Sequence, residues 1–268
     1  MSDVSFADEM YRQLSLPLPH RGPPFDVSTL RDLPPPAQRL LRRTLPGAIE
    51  LRTVVQLDLV GQIKLGGRWF DFTANQLLSA GKGFVWQPTV RGRLLKMTGA
   101  DVFGPSGARV DFRLLGRVPL VRSSGPGVDR SAAGRLAAET VAWVPQALTP
   151  QLGAHWQAVD DHTAAVTLDA AGRHITVEVD VADDGRLRSL SLDRWKESAK
   201  PPQPIRFGAA IKTEHTAPGG VLIAGSGTVG WHWHTAGEAD GHFYRFRVAR
   251  AAFVNPARPP ESPSRHEK

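Results

Sequence analysis

The longest helix-like stretch of this chain is RLAAETVAWVPQALTPQLGAHW, residues 135–156, in a sequence that otherwise reads as strand after strand. Apolar residues from Leu136 to Val144 recur at the spacing of one helical face. Pro145 cannot continue a helix, and it pushes the residue before it towards an extended conformation. Since proline suits the first position of a helix, a short second turn can begin there. The stretch therefore predicts an amphipathic helix that ends near Val144 and is followed by a helical turn.

Two roles fit this helix. It can cap a curved sheet as an ordinary amphipathic element, or it can close a cavity that Glu139 or Trp143 faces. Arg135 and Glu139 lie one turn apart, so their side chains can form an ion pair. An ion pair favours a structural role for Glu139 over a catalytic one.

Strands are predicted on both sides of the helix. Val55, Leu57 and Leu59 alternate with polar residues, as expected of a strand with one face in water. Further short strands such as 174–181 are separated by turns rich in glycine, proline and aspartate. The sequence lacks the alternation of strands and helices that a Rossmann or α/β-barrel fold requires. The predicted fold class is β-rich α+β: a single large, strongly curved antiparallel sheet, half-barrel-like, with one or two helices packed on it or plugging one end.

The chain divides into three predicted parts. Residues 34–253 are expected to form a single β-rich domain, which begins with a short helix over 35–46 where proline stands at both ends. Residues 1–33 include a proline-rich stretch and are expected to be a loosely structured N-terminal segment. Residues 254–268 are rich in proline and charge without a pattern that could bury surface, so we expect a disordered tail.

Composition excludes several classes of site. The 268-residue chain has no cysteine, which excludes disulfides, thiolate zinc sites, iron–sulfur clusters and cysteine nucleophiles. A hydrophobic fraction of 41% and a charged fraction of 22% are those of an ordinary globular protein. No apolar run approaches the roughly 20 residues of a membrane span, and the first residues lack the pattern of a secretory signal. We therefore expect no membrane span and a cytoplasmic location.

The charge pattern does not favour nucleic-acid binding. The net charge is +7, but most of the basic excess is arginine scattered along the chain, and only Arg39, Arg42 and Arg43 cluster on a predicted helix. The aromatic residues show no pattern of a base-stacking platform. Abundant alanine, glycine, proline and arginine with little lysine also fit a GC-rich genome. A basic protein- or nucleic-acid-interaction surface remains the second alternative function.

Seven tryptophans are many for a chain of this length. Core packing explains most of them. A curved sheet lined by large aromatic side chains and closed by a helix would also form an apolar ligand pocket. The leading hypothesis is a non-enzymatic module that binds an apolar or amphipathic, lipid-like small molecule. Its predicted ligand-binding residues are Phe84, Trp86, Trp143 and Tyr244 in the lining, with Arg135 and Glu139 near the mouth.

The last predicted hairpin carries the rival hypothesis, a metal-dependent or acid–base hydrolase. His232 and His234 are two apart on a predicted strand and therefore share a face. If His234 pairs with His242, then His232 lies opposite Tyr244, and three histidines could bind zinc with an open fourth position. A register shift of one residue would separate them. The other interpretation is that these histidines are hydrogen-bonded structural or ligand-lining residues.

Other catalytic patterns are weak. Gly225-Ser226-Gly227 lacks the spacing of a nucleophile elbow, and the glycine-rich residues 220–230 match no nucleotide-binding loop. The run Asp160-Asp161-His162 reads as a solvated turn, with acid–base work as the alternative. The sequence therefore identifies no catalytic residue.

A series of motifs along residues 34–253 resembles an uncharacterised bacterial domain-of-unknown-function family. The resemblance brings no known activity and no catalytic residue. The chain departs from the family pattern near residues 221–233, where an Ile-Pro pair would precede the tryptophan. In outline, a curved sheet that embraces helices is also similar to bacterial lipoprotein-carrier folds, an analogy at the level of the fold alone. The residues that carry the resemblance are Phe84, Trp86, Gly99, Asp101, Phe103, Arg135, Glu139, Trp143, Pro145, Ala147, Leu148, Trp156, Asp160, Asp183, Gly185, Arg194, Trp233, Tyr244 and Arg247.

Overall fold

A computed structural model describes residues 3–15, 22–92 and 96–254 of the chain. Within them, thirteen strands form one antiparallel sheet in the order β6-β5-β4-β3-β2-β1-β13-β12-β11-β10-β9-β8-β7. The strands are β1 Val54–Leu65, β2 Arg68–Ser79, β3 Gly83–Arg91, β4 Lys96–Gly104, β5 Gly107–Leu114, β6 Val118–Ser124, β7 His155–Ala158, β8 Thr163–Asp169, β9 His174–Val181, β10 Leu187–Lys196, β11 Gln203–Thr216, β12 Leu222–Trp231 and β13 His242–Phe253. The sheet is curved and not closed, so the predicted fold class is confirmed.

The helices of the described residues are α1 Asp3–Ser15, α2 Pro35–Thr44, α3 Pro126–Trp143 and the short α4 Glu238–Gly241. Three short 3₁₀ turns accompany them, at Val27–Leu30, Pro145–Leu148 and Pro150–Leu152. Among these helices, none is both long and apolar enough to cross a membrane.

The sheet consists of two meanders that α3 connects. Strands β1 to β6 run from the middle of the sheet to one edge, and β7 to β13 run from the opposite edge back to the middle, where β13 pairs with β1. Helix α3 joins the two edge strands β6 and β7, so the chain must cross the sheet at this point. The helix packs mainly on β10, and its buried residues belong to the main hydrophobic core.

The end of α3 was predicted correctly, but its start was not. The helix ends at Trp143, and Val144 leaves the helical conformation before Pro145, as expected from the proline. Residues 124–134 were expected to be a loop, whereas the helix already begins at Pro126. Proline is favourable in the first turn, where its missing N–H has no helical partner to lose.

The predicted loose attachment of residues 1–33 is wrong for α1. Met10 and Leu14 are 1% and 2% exposed, and they pack in a second core with residues of the sheet that include Leu77 and Val102. Gly104 lies so close that a Cβ atom there would be 2.4 Å from Sδ of Met10. All thirteen strands lie within the predicted domain 34–253. Residues 255–268 of the predicted tail lie outside the described residues.

Candidate functional site

A cavity of about 310 Å³ lies between α3 and the sheet. Most of its lining side chains are aromatic or aliphatic, and its charged groups come from α3, β4 and β10. The lining residues are Ile63, Trp86, Asp101, Phe112, Arg135, Ala138, Glu139, Ala142, Trp143, Leu190, Arg194, Phe207, Ala209, Ile211, Val229, Trp231, Phe243, Tyr244 and Phe246.

Interlocking aromatic rings form one wall of the cavity. Tyr244 stacks on Phe72 with 4.9 Å between ring centroids, and it meets Trp86 edge-on at 6.1 Å. Trp86 in turn packs edge-on against Phe112 at 6.1 Å. Since aromatic pairs in these geometries stabilise each other beyond simple burial, the wall is held in place without a ligand.

Helix α3 leaves room for the cavity because it presents small residues there. Ala138 and Ala142 line the cavity from the helix, and a methyl group fills little of the space. Trp143 anchors the end of the helix, because its indole Nε1 donates a hydrogen bond of 3.1 Å to the carbonyl of Ala224 on β12. The helix is therefore fixed to the sheet at the same level as the cavity.

Arg135 lies at the centre of a buried ion cluster at the cavity wall. Its Nε donates to Oε1 of Glu139 at 2.7 Å, and its Nη1 donates to Oδ2 of Asp101 at 2.6 Å. Its guanidinium also lies 4.3 Å from the ring centroid of Phe84, in a cation–π contact. Burial alone would lower the pKa of Arg135, but the two carboxylates more than offset it and raise the pKa.

Arg194 on β10 is the second guanidinium in the lining, and it differs from the first. Its Nε donates to the carbonyl of Ser131 on α3 at 2.9 Å, and its Cζ lies 4.7 Å from the ring centroid of Phe207. Among the described residues it has no carboxylate within 4 Å. Burial and then the positive charge of Arg135 lower the pKa of Arg194 to about 10. The group therefore carries a positive charge at neutral pH that is poorly compensated.

Two further polar groups belong to the aromatic wall. Burial raises the pKa of Tyr244, so its hydroxyl stays protonated at neutral pH. The indole Nε1 of Trp86 is fully buried and makes no hydrogen bond with normal geometry to a described residue. The hydroxyl of Tyr244 is a polar group beside it. A buried donor without an acceptor is uncommon and is found at functional sites.

Five of the six predicted ligand-binding residues line the cavity. They are Trp86, Arg135, Glu139, Trp143 and Tyr244. The sixth, Phe84, is fully buried beneath Arg135 and does not reach the cavity. That these residues bind a ligand remains a prediction.

Arg194 was missed as a site residue, although the sequence holds a signal for it. Leu190 and Leu192 alternate on β10 and are 2% and 1% exposed, so their side chains face the core. Since side chains two apart on a strand share a face, Arg194 falls on that same face. An arginine that continues an apolar stripe is a candidate for a buried functional charge.

The predicted histidine hairpin is wrong in its register. Strand β12 ends at Trp231, and His242 pairs with Gly230 rather than with His234. His232 and His234 lie in the turn, with φ of 60° and 55°, and therefore are not on a strand. Tyr244 pairs with Val229.

The structure gives no support to zinc binding by these histidines. Among the described residues, no three histidine, aspartate or glutamate side chains are close enough to hold a metal ion. Asp160 of the predicted acid–base run accepts backbone hydrogen bonds from His162 and Thr163 at 2.8 and 2.7 Å, which is the role of a turn residue.

Comparison with known proteins identifies a family but no activity. A family model described as a family of unknown function (DUF6544) matches residues 23–244, and no curated protein matches the chain.

Similar solved structures are distant in sequence. A DUF1329 family protein from Desulfovibrio piger shares 11% identity and a TM-score of 0.42, over 81% of this chain and 90% of that chain. A putative outer membrane lipoprotein-sorting protein domain from Vibrio parahaemolyticus shares 8% and 0.39, over 75% and 85%. A LolA superfamily protein from Nitrosomonas europaea shares 9% and 0.39, over 82% and 92%. Similarity at this level supports no conclusion about function.

Proposed function

The chain belongs to DUF6544, a family of unknown function, and we propose from its geometry that it is a non-enzymatic module that binds one small apolar or amphipathic molecule between α3 and the sheet. The single observation that carries this proposal is the cavity of about 310 Å³ with its largely aromatic and aliphatic lining. Well-packed cores leave few voids larger than a water molecule, so a space of this size needs a reason.

The lining supports binding of an apolar group. A cavity with an apolar lining and a few convergent polar groups is the usual form of a small-molecule site, and such sites measure about 300–1,000 Å³. Trp86, Trp231 and Phe207 provide large apolar surfaces, while Ala138 and Ala142 keep the space between them open. Burial of an alkyl chain here would contribute about 0.8 kcal/mol for each methylene group.

The charged groups of the cavity support a binding role over a catalytic one. A general acid or base must be able to exchange a proton with the substrate. Glu139 and Asp101 are both bound to Arg135, and Glu139 also accepts a hydrogen bond of 2.6 Å from Gln76. These contacts engage the carboxylates in holding α3 on the sheet.

Calorimetric titration with dodecanol tests the proposal, because this molecule offers a single alkyl chain without a charge. We expect the wild-type protein to bind it with a stoichiometry of one. Ala142→Leu should lower the affinity at least about tenfold, because the larger side chain occupies the cavity. Its ligand-free stability should be unchanged or higher, since the added methyl groups fill an existing space.

The matched control is Ala239→Leu, which makes the same change at an exposed position of α4. We expect this variant to bind dodecanol like the wild type. Equal binding by wild type and Ala142→Leu would show that the alkyl chain does not enter the cavity and would contradict the proposal, as would no binding at all.

A further inference from the structure

We propose that the ligand is a single-chain amphipath with one anionic head group, and that Arg194 is the residue that recognises this head group. The inference rests on the proposed function, since it assigns the class of molecule to the same cavity. It adds a specific polar contact and a limit on the number of acyl chains.

The hydrogen-bonding capacity of Arg194 is largely unused. A guanidinium carries five N–H donors, and in Arg194 the Nε donor is bound to Ser131. Its two terminal nitrogens make no hydrogen bond to any described residue. The planar group is held between strand and helix by that bond and by Phe207 and Trp231, whose ring centroids lie 4.7 and 5.2 Å from Cζ. It is therefore pre-organised, which reduces the entropy lost when it binds a carboxylate or phosphate.

Arg135 shows what a satisfied guanidinium looks like in the same cavity. It binds Glu139 and Asp101, and both carboxylates are within 2.7 Å. The same two carboxylates also attract Arg194, but from beyond 4 Å, and Arg135 repels it. An anion placed against Arg194 would provide the direct partner that the chain itself does not supply.

The backbone of α3 leaves space for this arrangement. Gly134 faces β10, and a Cβ atom at this position would lie 2.9 Å from Cγ of Arg194. Any other residue would force the stem of Arg194 to move. A helix interior disfavours glycine, so a glycine here is consistent with the need for close approach.

The size of the cavity limits the ligand to one chain. A volume of about 310 Å³ is at the low end of the range of about 300–1,000 Å³ that small-molecule sites span. The remaining donor in the lining, Nε1 of Trp86, offers a second contact for a head-group oxygen or a bound water. Apolar walls, one uncompensated cation and a spare donor together fit a fatty-acid-like carboxylate or an alkyl phosphate.

The test compares four probes that share a dodecyl chain and differ in head group: dodecanoate, dodecyl phosphate, dodecanol and dodecyltrimethylammonium, each below its micelle concentration. Isothermal titration calorimetry of the full-length protein should give at least about tenfold tighter binding for the anionic probes than for dodecanol, because a hydrogen bond to a charged group is involved. The stronger of the two anions identifies the head group as carboxylate or phosphate.

Arg194→Met removes the charge and keeps an unbranched side chain. We expect it to abolish the preference for the anions while it leaves dodecanol binding within about twofold of the wild type. Arg194→Lys should restore part of the preference, which a purely structural role for Arg194 would not produce. Arg188→Met is the control, since Arg188 lies on the same strand and its side chain is 51% exposed.

Two outcomes would overturn the inference in different ways. If the wild type binds dodecanol and dodecanoate equally, or prefers the cationic probe, Arg194 does not recognise an anion, although the proposed binding function stands. If no probe binds, both the proposed function and this inference are wrong.

Discussion

Arg135→Met removes the cation that holds two carboxylates at the cavity wall. The bonded side chains of Arg135, Glu139 and Asp101 are 14%, 15% and 21% exposed. Removal of one partner of a buried ion pair costs about 3–5 kcal/mol, because the remaining charge is left without compensation. The carboxylates keep some access to solvent, and Glu139 keeps its hydrogen bond from Gln76. We therefore expect a loss at the lower end, about 3 kcal/mol of the free energy of unfolding.

Urea unfolding followed by tryptophan fluorescence measures this loss. Arg188→Met is the control: its guanidinium is 3.6 Å from Asp180 and its side chain is 51% exposed, so it should cost less than about 0.5 kcal/mol. The double variant Arg135→Met/Glu139→Gln should be less destabilised than the sum of its single changes, because glutamine leaves one fewer unpaired charge. The reasoning is refuted if Arg135→Met costs no more than about 1 kcal/mol above the control.

Three further substitutions test neighbouring features by the same unfolding measurement. Arg194→Met should stabilise the ligand-free protein by about 1 kcal/mol, because the pKa lowered to about 10 corresponds to a cost of about 3 kcal/mol, of which the lost hydrogen bond and cation–π contacts offset about 2; a loss of stability would contradict the assignment of an uncompensated charge. Gly134→Ala should cost about 1–3 kcal/mol through its clash with Arg194, and should become stabilising when it is combined with Arg194→Met. Met10→Ala should cost about 2–5 kcal/mol, whereas a cost near zero would mean that α1 is loosely attached after all.

The fold class was predictable because its signals are local. Alternation of apolar and polar residues such as Val55, Leu57 and Leu59 identifies strands with one buried face, and these residues are at most 1% exposed. Pro145 determines where α3 ends, since it lacks the N–H that a helix interior needs. The strand β6, Val118–Ser124, was missed. Its residues are mostly exposed on both faces, so no apolar alternation marks it.

The site was only partly predictable, because it depends on register and on contacts between distant residues. Tyr244 and Trp86 were expected on the cavity side from their residue type, and they line it. The histidine cluster failed because the turn after β12 contains His232 and His234 in the left-handed region of φ. Non-glycine residues adopt that conformation uncommonly, and sequence patterns do not reveal it. The docking of α1 depends on Gly104, which is far from it in the sequence.

Native mass spectrometry of the purified protein, compared with its denatured mass, tests the central claim most directly. The account predicts that the native protein carries one additional small molecule, of a few hundred daltons, or takes up one molecule of dodecanoate when it is incubated with it. Ala142→Leu should carry and take up much less, while Ala239→Leu should match the wild type. The bare chain mass for the wild type before and after incubation would contradict the claim that the cavity is a ligand-binding site.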